Sequence, residues 1–598
     1  MRQGSSEMKA ILRRLYVPVL IGLTIRFASA QPAQPWAGAA LSDWANASNP
    51  IVLTDLSRCE PKSALSDMVL KQKKWKVIPY TMLNGYTGKM IWAPPEANAP
   101  EISLPLEADG WYAVFVGLFA VVEAPTMAWL RLDTDPASVP RFNSRTDYGN
   151  SEEVFFRAVR LRKGSKLMIR PQTTGEVSGC GITHVKLVPL TDAEIRAIES
   201  DQRDKSNRVL AATHDGFSDI FHRSPRTKAA LQSHVEIFRD TDFGTLILQA
   251  PGADKMNYPS KVGFQFGSQT EALPRVGDRH FVESTRALAA QKINPYRAMI
   301  ERAHEIGMQV HVGIRPAGWD FFEPYSDYWQ TSFYQKNPQW RCEDRDGTPV
   351  TRMSWAVPEV RQHLIDVLRE LVQFGADGAN LVFTRGYPLV LYELPARQQF
   401  QKQHGVDPRE IPESDPRITQ FRSDVVTKFF EELRAMLDAE QKSRGGKRLA
   451  LSVMVNGTAE DDLSFGVDLR RLAKAKLMDA IFTEQGFGAT AKTVNLDLLR
   501  EVCEPAKIPF SPGIYNSGTR YSSVLPKFYR SGARGVTVWD AETTDIFEWQ
   551  WMARFGHVEE TQWRLNNLDL KKAPRTIHYF QKLGNQVRNG RFGPHWGG

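Results

Sequence analysis

PYRAMIERAHEIG (295–307), QVHVGIRP (309–316), PEVRQHLIDVLRELVQFG (358–375) and GANLVFTR (378–385) are the stretches whose reading decides the fold. The first and third carry apolar residues at helical spacing. Both end on a glycine, Gly307 and Gly375, and the third opens with Pro358 in its first turn. The second and fourth are short, nearly continuous apolar runs, as a strand buried on both faces requires. The same grammar extends in both directions. Upstream lie a strand RVLAATHD (208–215), a helix TKAALQSHVEIFRD (227–240) and a strand TLILQAP (245–251). Downstream, helices at 393–405 and 417–441 precede the strand RLALSVMV (448–455). Then come the helix DLRRLAKAK (468–476), the strand MDAIFTE (478–484), the helix NLDLLREVC (495–503), the strand IPFSPGIY (508–515), the helix SSVLPKFYRSG (522–532), the strand GVTVWDA (535–541) and a last helix at 545–556. Eight β-α units predict an α/β chain with a TIM (β/α)8 barrel over 208–560; a doubly wound sheet is the alternative.

Ahead of this body the grammar differs. KWKVIPY (74–80), KMIWAP (89–94), EISLPL (101–106), WYAVFVGLF (111–119), AWLRLD (128–133), VFFRAVRL (154–161), KLMIRP (166–171) and ITHVKLVPL (182–190) are rich in β-branched and aromatic residues and separated by turn residues. They predict an N-terminal β-sandwich of jelly-roll type over 49–190, which either braces the barrel or binds a ligand. The stretch 191–207 reads as a helical linker, and 561–598 as a basic, Gly-rich C-terminal tail.

The first 30 residues read as an export signal. Lys9, Arg13 and Arg14 precede the apolar run Leu15–Ile25, and Ala28-Ser29-Ala30 is a small-residue cleavage site. Cleavage there leaves Gln31 as the mature N-terminus, followed by an Ala/Pro/Gly/Ser linker over 31–48, and predicts a secreted or periplasmic protein with no stable membrane insertion. Half of the net charge of +8 resides in this segment. What is left on the body gives no case for nucleic acid. Hydrophobic residues at 42% and charged residues at 24% are ordinary for a globular chain and exclude a disordered or polytopic membrane protein. Four cysteines exclude a disulfide scaffold; Cys59 and Cys180 either pair or remain thiols.

The chemistry of such a barrel gathers at the C-terminal ends of its strands. The polar residues there include His214 and Asp215, Gln249, Arg315, Thr384, Arg385, Asn456, Glu484, Tyr515 and Asp540. Carboxylates, arginines and aromatics dominate. There is no phosphate cradle, no lysine placed for a Schiff base and no spacing that specifies a metal, so no cofactor is expected. This mixture suits glycoside hydrolysis: one carboxyl protonates the leaving oxygen and the other acts as nucleophile or base, at about 5–5.5 Å apart for retention and about 6.5–9.5 Å for inversion. Glu484 closes an apolar strand, where an idle acid is costly, and is the expected general acid. Asp540 is the expected base or nucleophile, with Glu393 in reserve. His311, Arg315, Trp319, Arg385, Tyr392 and Trp539 are the expected substrate-binding residues. The expected partner is a poly- or oligosaccharide.

The segments AHEIGMQVHVGIRP (303–316), WAVPEVRQHLIDVLREL (355–371) and DGANLVFTRGYPLVLYE (377–393) resemble the secreted glycosyl hydrolase-like barrel proteins often labelled glycosyl hydrolase-like 10. The resemblance spans the barrel. Asp377-Gly378, Arg385 and Pro388 match the family's Asp-Gly pair and Arg-x-Pro-like exit. It implies an aspartate in the fourth strand as nucleophile, but Val382 stands there. Either another strand-end acid has taken the role, or the barrel binds glycans without cleaving them. A structural or surface-assembly protein, using the sandwich for protein contacts, is the reading from another class.

Overall fold

The computed structural model describes residues 44, 47, 49–67, 69–120, 125–143, 150–174, 179–268, 273, 275–320, 326–384, 388–484, 494–515, 521–539, 541, 546–567, 575–584 and 586–587. The expected signal segment, Arg385 and Asp540 lie outside the described residues. The chain is mixed α/β, and among the described residues no helix is long and apolar enough to cross a membrane.

One sheet is wholly parallel. Strand one is Leu210–His214, two Phe243–Gln249, three Gln309–Ile314, four Gly378–Val382, five Ala450–Val455 and six Ala480–Thr483. Strand seven comes in two pieces, Phe510–Ser511 and Gly513–Ile514, and strand eight is Thr537–Val538. Sequential strands are hydrogen-bonded neighbours. The first piece of strand seven pairs with strand six, the second with strand eight, and strand eight pairs with strand one. The path therefore returns to its start. Pro512, which has no N–H to donate, sits at the break between the two pieces. Gly513 is required beside it, because a Cβ there would stand 2.1 Å from the carbonyl oxygen of Thr483.

Helices join the strands. Pro358–Val372 shows why they lie where they do: Val360, Leu364, Val367, Leu368 and Leu371 are all fully buried along one stripe. Burying each such side chain contributes roughly 1.5–3 kcal/mol. Helix Pro416–Arg444 is longer than its sequence pattern predicts, and strand eight is shorter. Inward-facing residues Ala211, Ile247, Val382, Met454, Ala480, Phe482 and Trp539 make one apolar cluster inside the ring.

The N-terminal strands form two sheets. The smaller has the order Ile102–Pro105, Lys166–Pro171, Met127–Leu132, Val139–Phe142. Its Leu104, Leu130, Leu132, Leu167 and Ile169 belong to the same buried cluster as Ile91, Val114, Val116, Ile182 and Leu187 of the larger sheet. The larger sheet holds a correction. The segment read as a tail forms helix Val558–Asn567 and then strand Thr576–Leu583. The first half of that strand pairs with Asn150–Glu153 and the second with Tyr80–Met82, so the C-terminus completes the N-terminal sheet. Phe580 stacks edge-on against Tyr80 and Phe119, each at 5.7 Å. Cys59 and Cys180 are both buried free thiols.

Phe580→Ala is expected to destabilise the N-terminal sheet by about 3 kcal/mol, a fall of about 5–10 °C in its calorimetric midpoint. An unchanged midpoint would mean that the C-terminal strand is a loose appendage.

Candidate active site at the strand ends

Three strand ends meet at Arg315, just beyond strand three. Its Nε donates to Gln249 Oε1 at 3.0 Å, and its Nη2 lies 3.5 Å from Asp215 Oδ2. Its guanidinium carbon stands 5.8 Å from the ring centroid of Trp539. Asp215 also accepts from the backbone N–H groups of Phe217 and Ser218 at 2.8 and 2.7 Å, and from the Ser218 hydroxyl at 2.5 Å. Burial opposes its ionisation, but Arg315 and these donors outweigh that and hold the carboxyl below the usual carboxylate range. Gln249 Nε2 is a buried donor with no hydrogen-bond acceptor among the described residues.

Glu484 follows strand six and is 5% exposed. Its Oε2 accepts from Thr384 Oγ1 at 2.6 Å, tying the exits of strands four and six together. Thr483, Glu484, Gly513, Ile514, Tyr515, Thr537 and Trp539 line a small pocket. Trp539 thus borders both Glu484's pocket and Arg315. Of the expected site residues, Arg315, Glu484 and Trp539 are brought together here. Asp215, Gln249 and Thr384 join them; their position at strand ends was the only signal in the sequence.

The other expected residues lie elsewhere. His311 is inside the ring, four residues before Arg315, which is about 13 Å along a strand. Its Nδ1 meets Ser452 Oγ at 2.9 Å, and Asn380 Nδ2 donates to the same oxygen at 2.9 Å. Trp319 is fully buried, stacked with Phe333 and His363 at 5.8 and 6.1 Å, so it offers no face to a sugar. Tyr392 and Glu393 pack against a hairpin of Arg341–Glu343 with Pro349–Met353. The Tyr392 hydroxyl accepts from Arg345 at 2.8 Å. Glu393 is fully buried, accepting from the Ser354 hydroxyl and from the backbone N–H of Leu391 at 3.1 Å; burial raises its pKa. Val382 belongs to the apolar cluster inside the ring. A larger pocket opens near the start of strand two, between Phe155 and Trp549. Its Asp135 pairs with Arg157 and Arg239 at 3.0 and 2.9 Å, and its Glu236 pairs with Arg239 and Arg302.

Comparison with protein-family models finds no match, and comparison with curated protein sequences finds none. Among solved structures, the chain is similar to the α-L-fucosidase isoenzyme 2 of Paenibacillus thiaminolyticus, at 14% identity over 60% of this chain and 50% of that one, TM-score 0.39. The chain therefore spans half the length of that fucosidase. It is also similar to the α-galactosidase TtGalA of Thermus thermophilus, at 12% identity over 80% and 88%, TM-score 0.29. The glycoside hydrolase domain of PelA from Pseudomonas aeruginosa shares 13% identity over 56% and 95%, TM-score 0.29. At these scores the overlap is too partial to carry a fold or a reaction across.

Burial pushes the His311 ring down to about 4. The folded ring stays neutral while the unfolded one protonates below about 6.5, so this contribution to stability is present above that pH and is lost as pH falls towards 4. The loss at pH 4 is on the order of 3 kcal/mol. His311→Asn should flatten the pH dependence of the thermal midpoint between pH 7 and 4; an identical slope in the variant would show that the ring is not kept neutral.

Proposed function

We propose that the protein is an exported glycoside hydrolase that cleaves a poly- or oligosaccharide at the mouth of a (β/α)8 barrel. The observation that carries the reading is a nearly buried carboxylate, Glu484, on a pocket walled by Trp539, with the Arg315 guanidinium on that same tryptophan. The orphaned donor of Gln249 beside Arg315 supports it, because a ligand oxygen would satisfy that group. Export rests on the signal-like segment 1–30, and the sugar-binding aromatic is Trp539 rather than Trp319.

In this mechanism Glu484 delivers a proton to the glycosidic oxygen as the bond to the anomeric carbon breaks. Asp540, one residue beyond Trp539, attacks that carbon or takes a proton from the incoming water. Thr384 holds the Glu484 carboxyl in orientation through its hydroxyl. Arg315 and Gln249 bind sugar hydroxyls, and Arg385, next in sequence after Thr384, is assigned to substrate binding with them. Glu393 drops out of the reserve role, since a fully buried carboxyl cannot touch substrate. The sandwich braces the barrel. A second reading, a barrel that binds glycans without turnover, is favoured by one observation: Val382 packs into the apolar cluster where the resembled family has its acid.

Glu484→Gln is expected to lower turnover of a cleaved glycan by about 100-fold or more, with little change in thermal midpoint. A rate near that of the wild type would remove Glu484 from the chemistry. A wild type that binds glycans but cleaves none would favour the second reading.

Arg315→Ala should weaken glycan binding about tenfold or more, in line with the loss of a charge-assisted hydrogen bond. Arg315→Lys should restore little, since an ammonium cannot span Gln249 and Asp215 together. Isothermal titration of both variants is the check, and unchanged affinity in both would move the cleft elsewhere.

A further inference from the structure

Behind the rim, three titratable side chains that the proposed reaction does not use converge on one point. His214 ends strand one, Asp219 lies in helix Ser218–Arg223 and His234 in helix Lys228–Glu236; they are 1%, 4% and 2% exposed. His214 Nε2 lies 3.2 Å from Asp219 Oδ2 and 3.3 Å from His234 Nδ1, and those two atoms are 3.5 Å apart. Ligands at about 2.0–2.1 Å from a tetrahedral ion stand about 3.3–3.4 Å from one another, so the triangle has the dimensions of three corners of such a site. A second observation points the same way. Asp219 Oδ2 is buried between the two ring nitrogens, at 3.2 and 3.5 Å, while Arg223 lies 3.1 Å from the other oxygen. Oδ2 thus turns toward the rings, the arrangement that a cation shared by the three groups requires.

We propose that His214 Nε2, His234 Nδ1 and Asp219 Oδ2 hold a zinc(II) ion, with a water as fourth ligand. Two imidazoles and a carboxylate are a borderline donor set that suits zinc and disfavours calcium or magnesium. The role is positional. The ion would pin two helices to the end of strand one, immediately before Asp215, the carboxylate that meets Arg315. The Gly216 N–H donates to His214 Nδ1 at 3.1 Å, so without metal the neutral ring carries its proton on Nε2. Zinc entry shifts that proton to Nδ1 at the expense of the Gly216 bond, so that both rings ligate as neutral imidazoles.

A comparable group elsewhere serves as an internal control. Glu153 Oε1 meets the Nε2 atoms of His184 and His578 at 3.1 and 2.9 Å, and its Oε2 pairs with the Lys186 ammonium. This group is the alternative zinc site among the described residues, and His578→Ala separates the two.

The test is elemental analysis of the full chain, loaded with zinc and dialysed at pH 8. One zinc per chain is expected in the wild type and in His578→Ala, and less than a tenth of that in Asp219→Asn and His234→Gln. Cobalt(II) substitution should give the strong visible absorption of a tetrahedral centre. A strong chelator should lower the thermal midpoint of the wild type but not of the two ligand variants. If those variants fail to fold, the zinc content and chelator response of wild type and His578→Ala decide. No zinc in the loaded wild type overturns the proposal, and so does zinc lost with His578→Ala. None of these readouts depends on glycan turnover, so failure here leaves the hydrolase reading standing.

Discussion

Hydrogen bonding of strand eight to both strand seven and strand one is the constraint on which the rest depends. A parallel strand alternates its side chains between two faces, and only a closed path makes one of those faces an interior. Because every pairing is parallel, the C-terminal ends of all the strands lie on one side, and closure gathers them round one axis. Glu484 beyond strand six and Trp539 beyond strand eight line one pocket, and Arg315 beyond strand three stands against the same tryptophan. Pro512 interrupts strand seven, and the glycine beside it lets strand six approach closely.

Polarity inside the ring is layered. His311, Asn380 and Ser452 satisfy one another. Val382, Met454, Phe482 and Trp539 belong to an apolar cluster inside the ring, and Asp215, Gln249, Arg315, Thr384 and Glu484 mark the strand exits. A water-poor floor strengthens every charge interaction set upon it. An acid at position 382 would stand in that floor, whereas Asp215 and Glu484 lie just beyond the strand ends.

Much of this was legible in the sequence, for identifiable reasons. The helix over 358–372 and the strands around it were readable because periodicity and capping agree there. Glu484 and Arg315 were readable because each ends an apolar run, and a strand end fixes direction. Trp319, Tyr392 and Glu393 were not, because they lie beyond strand ends in loops whose course is set by tertiary packing, including a hairpin that no local pattern announced. His311 could have faced either way, since alternation alone does not say which face is interior. The strand TIHYFQKL (576–583) was missed because its partners lie hundreds of residues upstream and its mixed polar pattern, beside basic residues, looks like a tail.

The proposed hydrolase requires the strand-end rim around Trp539 to be a sugar-binding cleft with two acids across one glycosidic bond. The most direct measurement is a crystal structure of Glu484→Gln soaked with an oligosaccharide that the wild type binds. The account predicts a sugar ring against Trp539, a hydroxyl on Arg315 or Gln249, and Asp540 within about 5–10 Å of residue 484 across the scissile bond. A sugar bound on the N-terminal sheets alone, or an Asp540 turned away from the pocket, would contradict it.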